Sequence, residues 1–376
     1  MGRDVAGLLR DDADGGPPRH RPSACASWAL VLSLLGGFVA CYDRATRTNV
    51  DPKAEGRTPE AQVGREEYGA TVWALAYSPD GTRLAVATLE GEVSLKNLTT
   101  GRTATLCHDR PGSARVFAFS PDGRTLAVAG QARRVRLWDV ATAREWPPLR
   151  VPGERVDGLA FSPDGNRLTV CGWDGPLTHW DWRRGRPVYG PPCPVPVREP
   201  SRFAIAPDGT TFAAGDVAGR VVVWRGASDV RWEASPGRRT AVTALAFSPD
   251  GKLLAATASF DPVVRVYDAA DGAPRYTVGK GNLGATAIAF SRDGTLLAAA
   301  DLDGKARLYD AATGRERGSV TSPRPLHSLA FSPDGATLAT GDQGGSVRLW
   351  SVARALEGGR HTGRPGSTTL LVSKHL

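Results

Sequence analysis

The sequence predicts an all-β fold built from seven copies of one antiparallel sheet. Three observations predict it: a four-residue turn signature that recurs seven times, apolar strands at fixed distances from each turn, and a high content of Gly and Pro. The chain has 376 residues, of which 44 are Gly and 28 are Pro. This proportion suits a fold with many tight turns and stays below the level that indicates disorder.

The turn signature is Ser-Pro-Asp-Gly or a close variant. Pro at the second place fixes φ for a type I turn, and Gly at the fourth place accepts the left-handed conformation of a hairpin bulge. Successive copies start 42, 42, 44, 42, 43 and 41 residues apart. They occupy residues 78–81, 120–123, 162–165, 206–209, 248–251, 291–294 and 332–335. Each copy is therefore predicted to be the turn of a β-hairpin.

Strand residues flank each turn at constant offsets. An aromatic residue or Ile directly precedes the turn, and Ala stands one place earlier in all seven copies, as in Ala76-Tyr77. Neighbouring strand residues point to opposite faces, so one face carries a large apolar group and the other a methyl group. A second strand follows the turn, then a third such as VRLWD at 135–139, then a short fourth such as 103–107. We expect these sheets to be buried on both faces.

Four short strands in a repeat of about 40–45 residues are the pattern of WD-repeat proteins. The chain resembles this family, as a divergent member of bacterial type, over residues 66–352. The resemblance implies a seven-bladed β-propeller of four-stranded antiparallel blades around a central channel. A single sheet of this kind cannot bury both faces, whereas seven packed in a ring can.

Two departures from the family pattern concern its polar network. No Gly-His pair precedes the first strands, and the Asp six residues before the Trp or Tyr of the third strand occurs only as Asp174, Asp261 and Asp303. The His–Ser–Asp–Trp hydrogen-bond network of many family members is therefore expected to be incomplete or absent.

The fourth strand of the seventh blade has two possible sources. Residues 367–373 have the better strand composition, and the segment just before Val72 is the alternative. The C-terminal stretch could also begin an eighth repeat, because residues 364–367 repeat the Arg-Pro-Gly-Ser of 110–113.

Residues 24–41 form the only long uncharged apolar run. Its length is the lower limit for a transmembrane helix, and its core resembles the apolar region of a signal peptide. The run ends in Phe38-Val39-Ala40-Cys41, which resembles the lipobox of bacterial lipoproteins with Cys41 as the lipid attachment site. A lipoprotein, an uncleaved single-span anchor, ordinary secretion and a non-functional extension all stay open. We expect an extracytoplasmic propeller, although the flanking charges do not choose between the two sides.

These patterns divide the chain into four parts. A basic and polar leader covers 1–23, a signal peptide or membrane anchor 24–41, a flexible linker 42–65, and the propeller 66–376. The formal net charge is +8, but no block of five or more Lys and Arg occurs, so no nucleic-acid partner is expected. The five cysteines are odd in number and lack CxxC spacing, which argues against a disulfide framework or a structural zinc site.

No motif in the sequence indicates catalysis, a cofactor or a metal site. No GxGxxG lies between a strand and a helix, no phosphate loop occurs, and no two His have metal-ligand spacing. The turn aspartates resemble a carboxylate array, but turn chemistry already explains them. His179 lies inside a strand and is interpreted as a packed or surface residue. We therefore predict a protein that is not an enzyme and needs no cofactor.

Candidate binding residues are those that break the repeat on the loops of one face. In the WD-repeat family the loops between second and third strands share a face with the loops that enter each first strand. Six residues are placed there by the resemblance: Arg133, Arg134, Arg155, Trp173, Arg238 and Arg239. Trp173 is the strongest candidate, because no core requires an indole at a hairpin tip and Trp and Arg are enriched in binding hot spots. The alternatives are an indole lying flat on a neighbouring loop and, for each Arg, a solvated side chain.

The predicted function is protein–protein recognition by a monomeric, rigid ring with variable loops, tethered to a membrane. The alternative is an extracytoplasmic enzyme or small-ligand-binding protein with a site at the central channel. A sensor module of a signalling system is a third interpretation, which differs only in its partner.

Overall fold

The chain folds as a seven-bladed β-propeller in a computed structural model. The structure describes residues 61–358, except for 113, 173–176, 194–199, 227–228, 236–239 and 280–283. The predicted leader and anchor, with Cys41, lie outside this part of the chain, and so do Trp173, Arg238 and Arg239.

Each blade is a four-stranded antiparallel sheet in which strands follow one another in chain order, except in blade 7. The first strand of the described residues is β1 (Gln62–Glu67), which belongs to blade 7. Blade 1 contains β2 (Val72–Tyr77), β3 (Arg83–Thr88), β4 (Glu92–Asn97) and β5 (Thr103–His108). Blade 2 contains β6 (Val116–Phe119), β7 (Thr125–Ala129), β8 (Arg134–Asp139) and β9 (Glu145–Arg150). Blade 3 contains β10 (Val156–Phe161), β11 (Leu168–Gly172), β12 (Leu177–Asp181) and β13 (Arg186–Cys193).

The remaining blades follow the same plan. Blade 4 contains β14 (Pro200–Ile205), β15 (Thr211–Asp216), β16 (Val221–Arg225) and β17 (Asp229–Ala234). Blade 5 contains β18 (Val242–Phe247), β19 (Leu253–Ala258), β20 (Val264–Asp268) and β21 (Pro274–Val278). Blade 6 contains β22 (Ala285–Phe290), β23 (Leu296–Asp301), β24 (Lys305–Asp310) and β25 (Glu316–Thr321). Blade 7 contains β26 (Leu326–Phe331), β27 (Thr337–Asp342), β28 (Ser346–Ser351) and β1, and a short helix α1 (Val352–Gly358) follows.

The repeated tetrapeptide forms the hairpin turn between the first and second strands of each blade, as predicted. In blade 1 the amide of Gly81 donates to the carbonyl of Ser78 at 2.9 Å, and Gly81 has a φ of 71°. The Ser78 amide in turn donates to the carbonyl of Arg83 at 3.0 Å, which closes the hairpin. These bonds are those of a type I turn followed by a left-handed residue.

The alanine that precedes each turn lies on the innermost strand of its blade and pairs with a small residue of the second strand. The first strands contact one another around the ring. Ala76 pairs with Ala85 across the first two strands, and the equivalent alanine pairs with another Ala in every blade except blade 3, where Ala160 pairs with Thr169. Methyl groups allow neighbouring blades to approach near the axis, where a ring has the least room.

Apolar side chains form seven buried clusters, and each cluster joins two neighbouring blades. Blade 1 contributes Val72 and Leu84 to the cluster that it shares with Ala339 and Val347 of blade 7. The last blade therefore packs against the first, and the ring is closed. Seven interfaces for seven blades confirm the predicted fold class.

The closing strand comes from the N-terminal side of the propeller. β1 pairs antiparallel with β28, from Gln62 opposite Trp350 to Glu67 opposite Ser346. The sequence predicts a linker up to residue 65, but residues 62–65 belong to β1, and the prediction of 367–373 as the closing strand is wrong for the same reason. Strand composition misled here because β1 alternates half-buried and exposed residues at the rim of the ring, where apolar residues are not required.

The polar network of the third strands differs from the family pattern. Trp350 Nε1 donates to Thr340 Oγ1 at 2.8 Å, whereas Nε1 of Trp138 and of Trp224 is buried without a partner among the described residues. In blade 7 a different network forms around Asp342, which is fully buried. Its carboxylate accepts from the amides of Gly344 and Ser346 at 2.9 Å and pairs with Arg348.

Candidate functional site

The two ends of the propeller carry different kinds of connection. The turn face, as we name it, carries the seven Ser-Pro-Asp-Gly turns or their variants. The loop face, at the other end, carries the loops between second and third strands and the loops that lead into each first strand. A bond between these two kinds of loop crosses from blade 7 to blade 1, because Thr71 Oγ1 donates to the carbonyl of Gln343 at 2.9 Å.

The aspartates of the turn face are used by the turns themselves. In blade 5, Ser248 Oγ donates to Asp250 Oδ1 at 2.6 Å, and the amide of Lys252 donates to the same oxygen at 3.1 Å. These bonds lower the pKa of Asp250 from its ordinary value, with the Ser248 bond contributing most. The same pattern holds at five other turns with Ser at the first place. The carboxylate array is therefore part of the turn structure, as the sequence indicated.

On the loop face, four hydroxyl groups join successive blades from blade 4 round to blade 1. Each lies near the start of a first strand and donates to a backbone carbonyl at the start of the next blade's first strand. The donors and acceptors are Ser201 to Val242 at 2.8 Å, Thr243 to Ala285 at 3.0 Å, Thr286 to Leu326 at 2.8 Å, and Ser328 to Val72 at 3.0 Å. These four hydroxyl groups therefore have a structural role, because they link blades 4, 5, 6, 7 and 1 to one another.

The first strands of blades 1, 2 and 3 carry different residues at the corresponding place. Five residues before the turn Ser stand Trp73, Arg115 and Asp157. Arg155 precedes Asp157 on the loop into blade 3, and Arg202 lies on the first strand of blade 4. We call Arg115, Arg155, Arg202 and Asp157 the arginine cluster.

The arginine cluster holds three guanidinium groups around one buried carboxylate. Arg155 Nε lies 2.7 and 2.9 Å from the two oxygens of Asp157. Arg202 donates through Nε to the carbonyl of Thr243 at 2.6 Å and through Nη1 to the carbonyl of Ser201 at 2.7 Å. Nε of Arg115 is buried and has no hydrogen-bond partner among the described residues.

The pKa shifts in the cluster follow from burial and from like charge. Burial, reinforced by the charges of Arg155 and Arg202, lowers the pKa of Arg115 to about 10. Burial also raises the pKa of Asp157, against the opposing effect of Arg155. At neutral pH the cluster therefore carries more positive than negative charge, and part of it is poorly compensated.

Two aromatic rings lie beside the cluster. The guanidinium carbon of Arg115 is 5.4 Å from the ring centre of Trp73, which is a cation–π distance. The Trp73 ring also stacks on His327 of blade 7, with centroids 6.0 Å apart and planes at 19°. Burial lowers the pKa of His327 to about 4, so this imidazole is neutral at physiological pH.

The loop face also exposes apolar side chains. Phe260 lies between the second and third strands of blade 5, is 51% exposed and has a φ of 57°. A positive φ is unusual for a bulky residue, and such conformations cluster at functional sites. Val217, in the corresponding loop of blade 4, is also exposed.

Two concavities lie away from the arginine cluster. An apolar recess of about 570 Å³ lies on the turn face and is lined by Tyr77, Pro79, Phe331 and Arg292, among others. A groove of about 680 Å³ is lined by polar and apolar residues of blades 4 to 6, including Arg231, Asp268 and Tyr276. Neither concavity includes a residue of the arginine cluster.

Only part of the predicted binding set meets in space. Arg155 belongs to the arginine cluster. Arg133 is an exposed residue paired with Glu154 at 2.8 Å, and Arg134 lies 3.4 Å from Asp109. The contribution of these six residues to binding stays a prediction.

Sequence reasoning missed Trp73, Arg115, Asp157 and Arg202. They lie on or at the start of first strands, which the repeat predicts to be core, whereas all the predicted binding residues are in loops. A signal was available: the position five residues before the turn Ser is Ser, Thr or His in blades 4 to 7 and Trp, Arg or Asp in blades 1 to 3. His179, in contrast, is a packed residue, with Nδ1 2.9 Å from Thr169 Oγ1 and the ring against Phe212.

Within the part of the chain that the structure describes, no group of His, Cys, Asp and Glu has the arrangement of a metal site. No helix among these same residues has the length and apolar character needed to span a membrane.

Five stretches of the chain match the family model described as WD domain, G-beta repeat. They are residues 102–139, 148–181, 234–268, 274–310 and 316–351. Each match begins beside or within the fourth strand of one blade and ends with the third strand of the next. The units that end with β4 and β16 lie outside the matches: Lys96 stands in the Trp or Tyr position of β4, and Ala206 replaces the turn Ser before β16. A search of curated proteins found no match.

Proposed function

We propose that this seven-bladed β-propeller, of which five stretches match the WD-repeat model, is a non-catalytic platform for protein–protein recognition, tethered to a membrane through residues 24–41. Proteins with this fold are commonly interaction scaffolds. The observation that carries the proposal is the contrast between the two ends of the ring. The turn face repeats one structure, whereas the loop face carries residues that the repeat does not need, above all the exposed Phe260 in a strained conformation.

The titratable groups at the channel mouth favour recognition over chemistry. Asp157 is buried in its ion pair with Arg155, and His327 is stacked on Trp73 with a lowered pKa. A general acid or base needs a pKa near the working pH and access to the reacting group. Neither residue offers both, which supports a binding role for this end of the ring.

The recognition role is tested by affinity capture of the tagged full chain from membranes of its own host. We expect Phe260→Asn to reduce recovery of the specific partner at least tenfold, because it removes an exposed aromatic anchor. Asn tolerates the left-handed conformation better than Phe, so this variant should fold at least as well as the parent. The matched control is Trp146→Asn, which removes an aromatic side chain of similar exposure, 49%, from the outer strand β9.

Equal recovery with the Phe260 variant and the parent would contradict the recognition role of this loop. Turnover of a small substrate by the purified chain would contradict the platform as a whole and would favour the channel enzyme.

The tether is tested by metabolic labelling with a fatty acid. If Cys41 is the lipid attachment site, the parent protein takes up label and Cys41→Ser does not, because the sulfur that carries the lipid is gone. Cys25→Ser is the control within the same apolar run and should keep the label. A parent protein that stays in the membrane without label would rule out the lipoprotein and leave the single-span anchor.

A further inference from the structure

We propose that the arginine cluster is a recognition site for an anionic oxygen group, a carboxylate or a phosphate monoester, carried by a peptide segment of the partner. The inference rests on the proposed function, because it assigns a chemistry to the part of the loop face at the channel mouth.

The first argument is the charge balance of the site. Three guanidinium groups surround a single carboxylate, and the ion pair at 2.7 Å joins Asp157 to Arg155. Arg115 and Arg202 have no carboxylate within ion-pair distance among the described residues. The cluster thus has an excess of positive charge that nothing in the described chain neutralises.

The second argument is the state of Arg115. Its side chain is mostly buried, and its Nε lacks a partner among the described residues. Leaving such a group unpaired costs free energy, because the charge and its N–H donors lose water without gaining an acceptor. An anion that enters the mouth of the channel would supply that acceptor. Arginine suits this role because its planar fork donates two parallel bonds to a carboxylate or a phosphate.

The third argument is that the guanidinium groups are held in place before any ligand arrives. Trp73 lies under Arg115 at 5.4 Å, and Arg202 is fixed by bonds to two carbonyl oxygens of 2.6 and 2.7 Å. Side chains that are already ordered lose little entropy when they bind. A flexible surface arginine lacks this advantage.

The position of these residues also argues for a binding role. Blades 4 to 7 use Ser or Thr near the start of the first strand to join neighbouring blades, which is a purely structural arrangement. In blades 1 to 3 this position is occupied by Trp73, Arg115 and Asp157. These three blades therefore have no hydroxyl group there to bond to the next blade. Phe260 and Val217 are exposed apolar side chains on the same face, and the proposed function is protein recognition, so we assign the anion to a peptide of the partner.

The experiment measures binding by fluorescence anisotropy, with the full chain purified in detergent. The probes are three fluorescein-labelled peptides: hexaglutamate, a Gly-Ser peptide with one central phosphoserine, and hexaglutamine. We expect at least one anionic probe to bind at least tenfold more tightly than hexaglutamine, and the tighter of the two identifies the group. Unlabelled inorganic phosphate serves as competitor, and displacement at concentrations as low as those of the peptide would show a free anion to be the ligand.

Three variants assign the binding to the cluster. Arg115→Gln should weaken binding of the preferred anionic probe at least tenfold. Arg292→Gln is the matched control, because Arg292 lies on the turn face, where its Nη1 donates to the carbonyl of Pro79 at 3.3 Å. Asp157→Asn should bind the probe at least threefold more tightly, since it removes the carboxylate that competes for the same arginines. A merely structural role for the cluster would not produce opposite effects from Arg115 and Asp157.

The inference is overturned if both anionic peptides bind no better than hexaglutamine, or if the Arg115 and Arg292 variants weaken binding equally. Its failure is distinct from failure of the proposed function. Partner capture that depends on Phe260 but not on Arg115 would leave the platform intact and remove the anion site. Binding of an anionic peptide without capture of any partner protein would support the anion site and contradict the platform.

Discussion

A single position in each first strand, five residues before the turn Ser, largely determines what that blade contributes to the loop face. A hydroxyl there, as in Thr243 and Thr286, donates to the next blade and becomes part of the ring. Arg115 and Asp157, at the same position, make no such bond to another described residue and instead belong to the arginine cluster. These residues could not be assigned from sequence, because a strand position does not reveal which side chains from other blades meet it. Arg155 was found because it lies on a loop, where departures from the repeat are easier to see.

His327 occupies this position in blade 7 and makes the stability of the fold depend on pH. Its pKa is about 4 in the folded chain, compared with 6.5 for an ordinary histidine. Between these values the unfolded chain binds the proton and the folded chain does not, so acidification favours unfolding. Replacing His327 with Phe removes the group that binds this proton and keeps an aromatic ring beside Trp73. We expect the loss of unfolding free energy between pH 7 and pH 5 to be about 2 kcal/mol smaller in His327→Phe than in the parent.

The measurement is urea unfolding followed by circular dichroism at both pH values. The control for loss of an imidazole is His108→Phe, at an exposed position at the end of β5. If the unfolding free energy falls equally between pH 7 and pH 5 in the parent and in the His327 variant, the folded chain binds this proton at pH 5 as readily as the unfolded chain does.

At the level of the strand, the repeat in the sequence and the blade in the structure are offset by one element. A matched repeat runs from a fourth strand through the next three, so the first repeat begins with β1, and β1 completes blade 7. The turns and the first three strands were predictable because local chemistry fixes them. The closing strand was not, since β1 has the polar sequence QVGREE and is defined by its partner β28 rather than by its own propensity.

Contacts beyond the strand ladder also hold β1. Glu66 pairs with Lys96 of blade 1, which stands in the position of the missing aromatic residue, and Ser346 donates to Glu67 at 2.9 Å. A chain that starts at Ala61 should therefore unfold at nearly the same temperature as the full chain. A chain that starts at Ala70 lacks β1, exposes the edge of β28 and should unfold at least 10 °C lower, with increased aggregation. Differential scanning calorimetry of the two truncations checks this, and equal unfolding temperatures would mean that another segment closes the ring.

For the whole molecule, stability depends on the closure of the ring, because each blade buries its faces only against two neighbours. The interface between blades 7 and 1 joins parts of the chain that are about 270 residues apart, as in the bond from Thr71 to Gln343. The predicted ring needed such an interface, but the sequence could not show how closely its two sides pack. The structure shows this at Gly341, where an added Cβ would lie inside contact distance of Ser328 Oγ and Val72 Cγ1.

Gly341→Ala is therefore expected to force blades 7 and 1 apart. Neither neighbour can move easily, because Val72 is fully buried and Ser328 Oγ is bonded to the Val72 carbonyl. Overpacking of this kind costs about 1–3 kcal/mol, so the midpoint of urea unfolding should fall clearly. Gly64→Ala is the matched control in the same blade, since a Cβ there would lie 3.4 Å from the side chain of Leu349, at the limit of ordinary contact. Because the interface closes the ring, we also expect faster proteolysis of β1 in the Gly341 variant. Unchanged unfolding and proteolysis in that variant would show that the seventh interface is loose and that the other six hold the propeller together.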